Sequence, residues 1–259
     1  SGLYSVIGGL KAVAYTDVIQ VIFLIFGGLI TTFFALKAIS NSTDIFLGLE
    51  MLFNHAPEKF DLILSKSNPN YKYLPGIGVI LGGLWVANIA YFGCNQYIIQ
   101  RSLAAKNIGE AQKGMALAAF LKLFIPLIVV LPGIAAFVLE ADIGKPDEAY
   151  PWLLSNFIPS GFKGLAFAAL VAAIVSSLSS MVTSASTIFT FDIYKPIFNK
   201  KVADSKLVAV GRIMSAVSLG IAVMVAPLLS SLDQAFQFIQ DFTGMVTPGI
   251  VVVFLFGLF

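Results

Sequence analysis

A few short stretches of this sequence carry groups able to do chemistry among long apolar runs. AAFLKLFIPLIVVLP, Ala118 to Pro132, holds a single charge, Lys122. GLWVANIAYFGCNQYIIQR sets Asn88, Tyr91 and Asn95 at i, i+3 and i+7, one face of a helix, and FQFIQDFTGMVTPG adds Gln240 and Asp241. Amide, phenol and ammonium groups together suit a small polar solute that both donates and accepts hydrogen bonds; polar glue between helices is the structural alternative. ALVAAIVSSLSSMVTSAST offers a different chemistry. Ala173, Ser176 and Ser177 stand at i, i+3 and i+4, so two hydroxyls and a backbone carbonyl share a face. Neutral oxygens without carboxylates suit a monovalent cation, sodium, held weakly enough to leave, whereas Mg²⁺ and Ca²⁺ sites usually recruit carboxylates. Close packing of a serine-rich helix is the competing explanation.

The elements that must position these groups are membrane helices. Hydrophobic residues make up 58% of the chain and charged ones 12%, and the mean hydropathy is +0.90, far outside the soluble range. A helix needs about 20 apolar residues to cross roughly 30 Å of hydrocarbon. Such windows run over 17–39, 75–99, 113–139, 163–188, 207–229 and 235–259, joined on one side by outer loops at 40–74 and 140–160. Residues 1–16 read as the end of an earlier segment, with Gly8-Gly9 as its breaker. The chain opens in SGLYSVIGG and stops inside GIVVVFLFGLF, which predicts an internal fragment of a longer protein.

Loop charge sets the orientation. Arg101, Lys106 and Lys113 lie between the second and third windows, and Lys195, Lys200, Lys201 and Lys206 between the fourth and fifth, so both connections are expected on the cytoplasmic side. The opposite side carries Glu140, Asp142, Asp147 and Glu148. Lys122 then falls nine residues past Lys113, about 13 Å into the membrane at about 1.5 Å per residue. A lysine stem snorkels only about half that far, so its ammonium is expected to face a polar cavity or a partner.

Other features exclude more than they suggest. The net charge of +2, distributed between apolar runs, orients helices and does not suggest nucleic acid. His55 has no Cys or His partner at metal-ligand spacing, and Cys94, the one cysteine, reads as a packing residue. Asn41-Ser42-Thr43 fits a glycosylation acceptor, relevant only in a eukaryotic secretory pathway. Gly27-Gly28 and Gly82-Gly83 read as close helix contacts or bends. The windows hold no histidine and few acids, which argues against an enzyme; a non-transporting membrane subunit would not explain Lys122, Asn88 and Gln240 together.

LYSVIGGLKAVAYTDVIQ resembles the signature region of the sodium/solute symporter family, and NQYIIQRSLAAKN, AAFLKLFIP, AAIVSSLSSM and FQFIQDFTG are similar to its sodium/glucose and sodium/galactose cotransporter branch, across nearly the whole chain. The resemblance implies an all-α polytopic membrane protein, a fragment of a LeuT-like inverted-repeat transporter comprising the end of the first repeat and the second repeat, with substrate and ion near the midplane. It implies that Asn88, Lys122 and Gln240 hydrogen-bond sugar hydroxyls and that Tyr91 stacks on the pyranose and closes the cytoplasmic side. Ala173, Ser176 and Ser177 would supply half of a sodium site, with Ser180 as a further hydroxyl. Asp17 would lie on the sodium exit route; a carboxylate favoured at a helix N-terminus is its other reading. Two departures stand out: Phe92 replaces the tryptophan expected after the gating tyrosine, and the loop 140–160 is shorter than in galactose-transporting members.

The function so implied is sodium-coupled symport of a galactose- or glucose-like sugar by alternating access in the cell (inner) membrane. The partners are the sodium ion, the sugar and the lipid bilayer, with no cofactor besides the coupling ion and no nucleic acid. A symporter of another polyol or an acidic sugar is the alternative. Which sugar, the stoichiometry and the oligomeric state stay open at this level. The family's first core helix supplies further sodium and sugar ligands, so these 259 residues alone are not expected to transport.

Overall fold

The computed structural model describes residues 2–72, 76–198, 200–229, 232 and 234–258, with side chains except at 2–8, 70, 72 and 258. Ser1, Pro75 and Phe259, which bound elements in the sequence reading, lie outside these residues. Among the described residues every regular element is helical. The ten α-helices are α1 (Gly2–Ser40), α2 (Ile45–His55), α3 (Leu84–Ile89), α4 (Gln96–Leu103), α5 (Ile108–Lys122), α6 (Leu131–Val138), α7 (Ala149–Asn156), α8 (Ser160–Ile188), α9 (Asp204–Leu229) and α10 (Ala235–Leu258). Among the described residues, five helical runs are long and apolar enough to cross a membrane: Gly9–Ser40, Ile108–Val138, Ser160–Phe198, Asp204–Leu229 and Ala235–Gly257. Val79–Cys94 is a shorter apolar helix.

The residues group into two compact units. One comprises Ser1–Phe26, Gln96–Met115 and Phe167–Ser231; the other comprises Gly27–Asn95, Ala116–Ala166 and Leu232–Phe259. In the first unit the backbone bends at Gly9, whose φ of 58° is open to glycine and strained for other residues. Among the described residues no atom lies within 4 Å of a Cβ built there, so the bend itself explains the glycine. The helix then runs on through Thr16 and Asp17 without a new start. In the same unit Ser186 Oγ donates to Gly211 O at 2.7 Å, tying α8 to α9.

The second unit has an apolar core of Ala35, Leu36, Ile39, Leu52, Ala56, Ile134, Ala135, Ala136 and Leu153. Asp44 caps α2, accepting from Phe46 N at 2.9 Å and Leu47 N at 3.3 Å. Gly48 then lets α2 press on α1: a Cβ there would stand 2.8 Å from Leu36 O. On α7, Tyr150 Oη lies 3.1 Å from Thr31 Oγ1. Burial pushes this phenol above its ordinary value, and the bond with Thr31 opposes the shift.

Two apolar windows are broken, and the sequence explains where. Pro126 has no N–H for the carbonyl of Lys122, so α5 ends there. The chain turns through Leu123 and Phe124 and resumes with a wider π-helical turn over Pro126–Val130 before α6. In that register Leu131 N donates to Pro126 O, and the next donor would be Pro132, which has none. Leu127 O therefore accepts from Thr32 Oγ1 at 2.6 Å, a hydroxyl that also lies 3.0 Å from Gly28 O. Gly28 allows the approach, since a Cβ would meet Ile128 Cβ at 2.6 Å. The window 75–99 is likewise interrupted: a π-helical turn over Ala90–Cys94 ends at Asn95, which is extended (φ −89°, ψ 113°), before α4 begins. Gly93 weakens the helix and an asparagine amide competes for backbone partners. Asn88, Tyr91 and Asn95 consequently do not form one helical face. Gly82 and Gly83 have nothing within 4 Å of a built Cβ, so neither marks a close helix contact.

Candidate functional site

In the first unit the hydroxyl-rich face of α8 meets a charged pair. Ser176 Oγ donates to Asp17 Oδ1 at 2.5 Å. Arg101, on α4, donates through Nε to Asp17 Oδ2 at 2.8 Å and through Nη2 to both Asp17 Oδ2 and Ser180 Oγ. Ser180 Oγ in turn donates to Ser176 O at 2.8 Å, and the buried Gln100 donates from Nε2 to Ser180 O at 3.2 Å. Asp17 has only 12% of its side chain exposed and Arg101 33%, so the attraction acts partly out of water, where an unpaired charge is costly.

This corrects two sequence readings. Asp17 is not at a helix N-terminus, because it sits well inside the helix that follows the bend at Gly9. Arg101, expected in the connection between the second and third windows, lies on α4, and its guanidinium is committed to Asp17 and Ser180. A carboxylate inside an apolar helix calls for a cation, and that signal was available in the sequence without naming which cation. Of the residues assigned to sodium, Ser176 joins this network, Ala173 is half-buried and Ser177 is exposed.

In the second unit Lys122 and Tyr91 come together through a residue the sequence reading counted as a departure. The Lys122 ammonium lies 4.2 Å from the centre of the Phe92 ring and 5.9 Å from that of Tyr91. The two rings stand edge to face at 4.9 Å. Cation–π attraction contributes about 0.5 to 2 kcal/mol, more as water is excluded. Asn88 is exposed and turns its amide onto its own helix, donating to Leu84 O at 2.8 Å. Gln240 lines a groove of about 800 Å³ between α10 and α3, beside Gln237 and Asp241. The latter two are joined by a bond of 2.8 Å. Asn88, Tyr91 and Lys122 are not among the residues lining that groove.

Membrane-length helices, a partly buried carboxylate–guanidinium–hydroxyl network and an amine set over aromatic rings define a multi-pass membrane protein with polar sites inside apolar helices. The chain belongs to the sodium:solute symporter family, whose family model matches residues 1–259; the family is one of symporters, not of enzymes. The sodium/glucose cotransporter of Vibrio parahaemolyticus is 53% identical, the match covering 99% of this chain and 50% of that protein. The sodium/myo-inositol cotransporter of Bos taurus is 32% identical over 100% of this chain and 41% of its own length. The chain thus spans about half the length of the curated relatives it matches. A solved structure of a Na⁺-coupled sialic acid symporter, substrate-bound and outward-open, superposes with a TM-score of 0.75 at 23% identity, covering 100% of this chain and 53% of that one. The fold is accordingly LeuT-like.

Proposed function

We propose that the protein is a sodium-coupled symporter of a galactose- or glucose-like sugar, acting by alternating access in the cell (inner) membrane. The observation that carries this reading is the Lys122 ammonium held over Phe92 beside Tyr91: charged donors next to aromatic faces suit a ring with hydroxyls on its rim and C–H groups on its flat side. Likeness to the Vibrio sodium/glucose cotransporter across 99% of the chain supports it. In this reading Asn88, Lys122 and Gln240 contact sugar hydroxyls and Tyr91 stacks on the sugar and gates it. Ala173, Ser176 and Ser177 offer the ion neutral oxygens. Asp17, one hydrogen bond from Ser176, receives sodium on its way out. Arg101 competes for the same carboxylate, so the ion passes through and is not trapped.

Sodium is the coupling ion, and its inward movement contributes about 2.3 kcal/mol per 100 mV of membrane potential besides its concentration term. Sodium favours the outward-facing arrangement and so forms the sugar site, a shift set by its differential affinity for the two states. The sodium/myo-inositol relative favours another polyol as the second reading. Uptake of labelled galactose by the full-length protein in vesicles tests both. An inward sodium gradient should accelerate uptake over an equal potassium gradient, and unlabelled galactose or glucose should compete better than myo-inositol or an acidic sugar. Uptake indifferent to sodium overturns symport, and stronger competition by myo-inositol selects the second reading.

A further inference from the structure

One face of α10 carries Gln237, Gln240, Asp241, Gly244, Thr247 and Pro248, at i, i+3, i+4, i+7, i+10 and i+11. All of them line the groove of about 800 Å³ that α10 forms with the helix over Val79–Cys94. Gly244 on one side and Gly83 on the other help to make its space: among the described residues no atom lies within 4 Å of a Cβ built on either. Small-molecule sites commonly hold about 300 to 1,000 Å³. A bare cation would leave most of such a groove, and its apolar walls at Leu84 and Phe236, unfilled.

The polar groups of the groove are few and differ in kind. The Gln240 amide bonds to no described residue, so it is open both to donate and to accept. Asp241, the next residue, is the one charged side chain among the described residues that line the groove. Gln237 Nε2 donates to its Oδ1 at 2.8 Å, and no described residue bonds its Oδ2. An ionised carboxylate only accepts, so Oδ2 is left for a donor on the ligand.

Charge then orders the ligands. Apolar walls lower the local dielectric and lengthen the reach of a fixed charge. A sugar hydroxyl donates to Oδ2, and an ammonium does so about twice as strongly, because both partners of that bond are charged. A second carboxylate has no proton to give and is repelled. We propose that Asp241, aimed by Gln237, fixes the charge class of the transported solute, admitting neutral and amine-bearing sugars and turning acidic sugars away. This inference rests on the reading that Gln240, beside it, contacts the sugar. The bland alternative is an i, i+4 glutamine–aspartate pair that only stabilises α10.

The test measures binding of galactose, 6-amino-6-deoxygalactose and galacturonate to full-length protein in detergent, with and without sodium; the last two sugars carry opposite charges at one ring carbon. In sodium the parent should bind the amino sugar at least as tightly as galactose, and galacturonate roughly tenfold more weakly. Asp241→Asn keeps the size of the side chain and an acceptor for Gln237, and it should narrow the span between the two charged sugars roughly tenfold. Gln237→Leu, which leaves the carboxylate unaimed, should narrow that span in part, and Asp241→Glu should preserve the parental order. A pair that only stabilises the helix predicts that all three sugars weaken together in Asp241→Asn with the order intact. That result overturns the proposal, as does a parent that binds galacturonate as tightly as galactose. The two readings fail separately. Charge-ordered binding that ignores sodium counts against symport and leaves Asp241 its role, whereas sodium-dependent binding without a charge order removes only Asp241. Binding of none of the three sugars removes both.

Discussion

A charge inside an apolar helix persists only with partners, and the two charges nearest the proposed sites find different ones. Lys122 has aromatic faces, Phe92 foremost, and Asp17 has Arg101 and Ser176. Lys122→Met keeps most of the stem and removes the donors, each worth about 1.5 to 3 kcal/mol to a polar partner. Apparent sugar affinity of the full-length protein should fall about tenfold to a hundredfold, while sodium affinity measured without sugar stays near the parent value. Unchanged sugar affinity would assign the lysine to its aromatic neighbours alone. Ser176→Ala and Ser177→Ala should both raise the sodium concentration for half-maximal uptake. The Ser176 change should be the larger, since it also strips a donor from Asp17. Wild-type sodium dependence in both variants would remove this face of α8 from the ion's path.

At the scale of elements, the breaks carry the meaning. Pro126 ends α5 at Lys122, so the lysine sits at a helix end and not in the middle of a straight rod. Thr32 then supplies the proton that Pro132 cannot give to Leu127 O. Thr32→Val keeps the shape and removes that proton, leaving the partly buried Leu127 carbonyl contact unpaired among apolar helices at a cost of about 1 to 3 kcal/mol. The variant should melt lower and exchange amide protons faster around Pro126 to Val130. Thr32→Ser, which keeps the hydroxyl, should stay close to the parent in both measurements. Equal melting of Thr32→Val and the parent would show that the carbonyl finds another donor. The interruption at Asn95 acts similarly on the other apolar helix, separating Tyr91 and Phe92 from Gln100 and Arg101 along the chain.

For the whole molecule, coupling means that one ligand changes the stability of the state that takes the other. A ligand at about 100 times its Kd stabilises the state it binds by about 2.7 kcal/mol. Full-length protein should therefore melt higher in sodium than in an equal concentration of potassium. Galactose should add a further rise in sodium and little in potassium, as thermal unfolding in detergent can show. Equal galactose effects in both salts would separate sugar binding from the ion.

Much of this was legible in the sequence because hydropathy, charge and spacing are local quantities. Runs of about 20 apolar residues specify membrane helices wherever they lie, the glycines at 8–9 announce a bend, and Lys122 in AAFLKLFIPLIVVLP announces a need for partners. Family membership followed from the same stretches. Partner choice is not local. Arg101 reaches Asp17 across 84 residues and Thr32 reaches Leu127 across 95, and spacing along the chain says nothing about which helix faces which. Asn88, Tyr91 and Asn95 fit one face of a regular helix on paper, but the wide turn and the extended residue that separate them arise from how the segment packs and bonds. The sequence by itself determined which segments are apolar enough to enter a membrane and which polar groups go with them. The tertiary structure decided which of those groups pair, because a buried charge or carbonyl takes the donor that packing brings within about 3 Å.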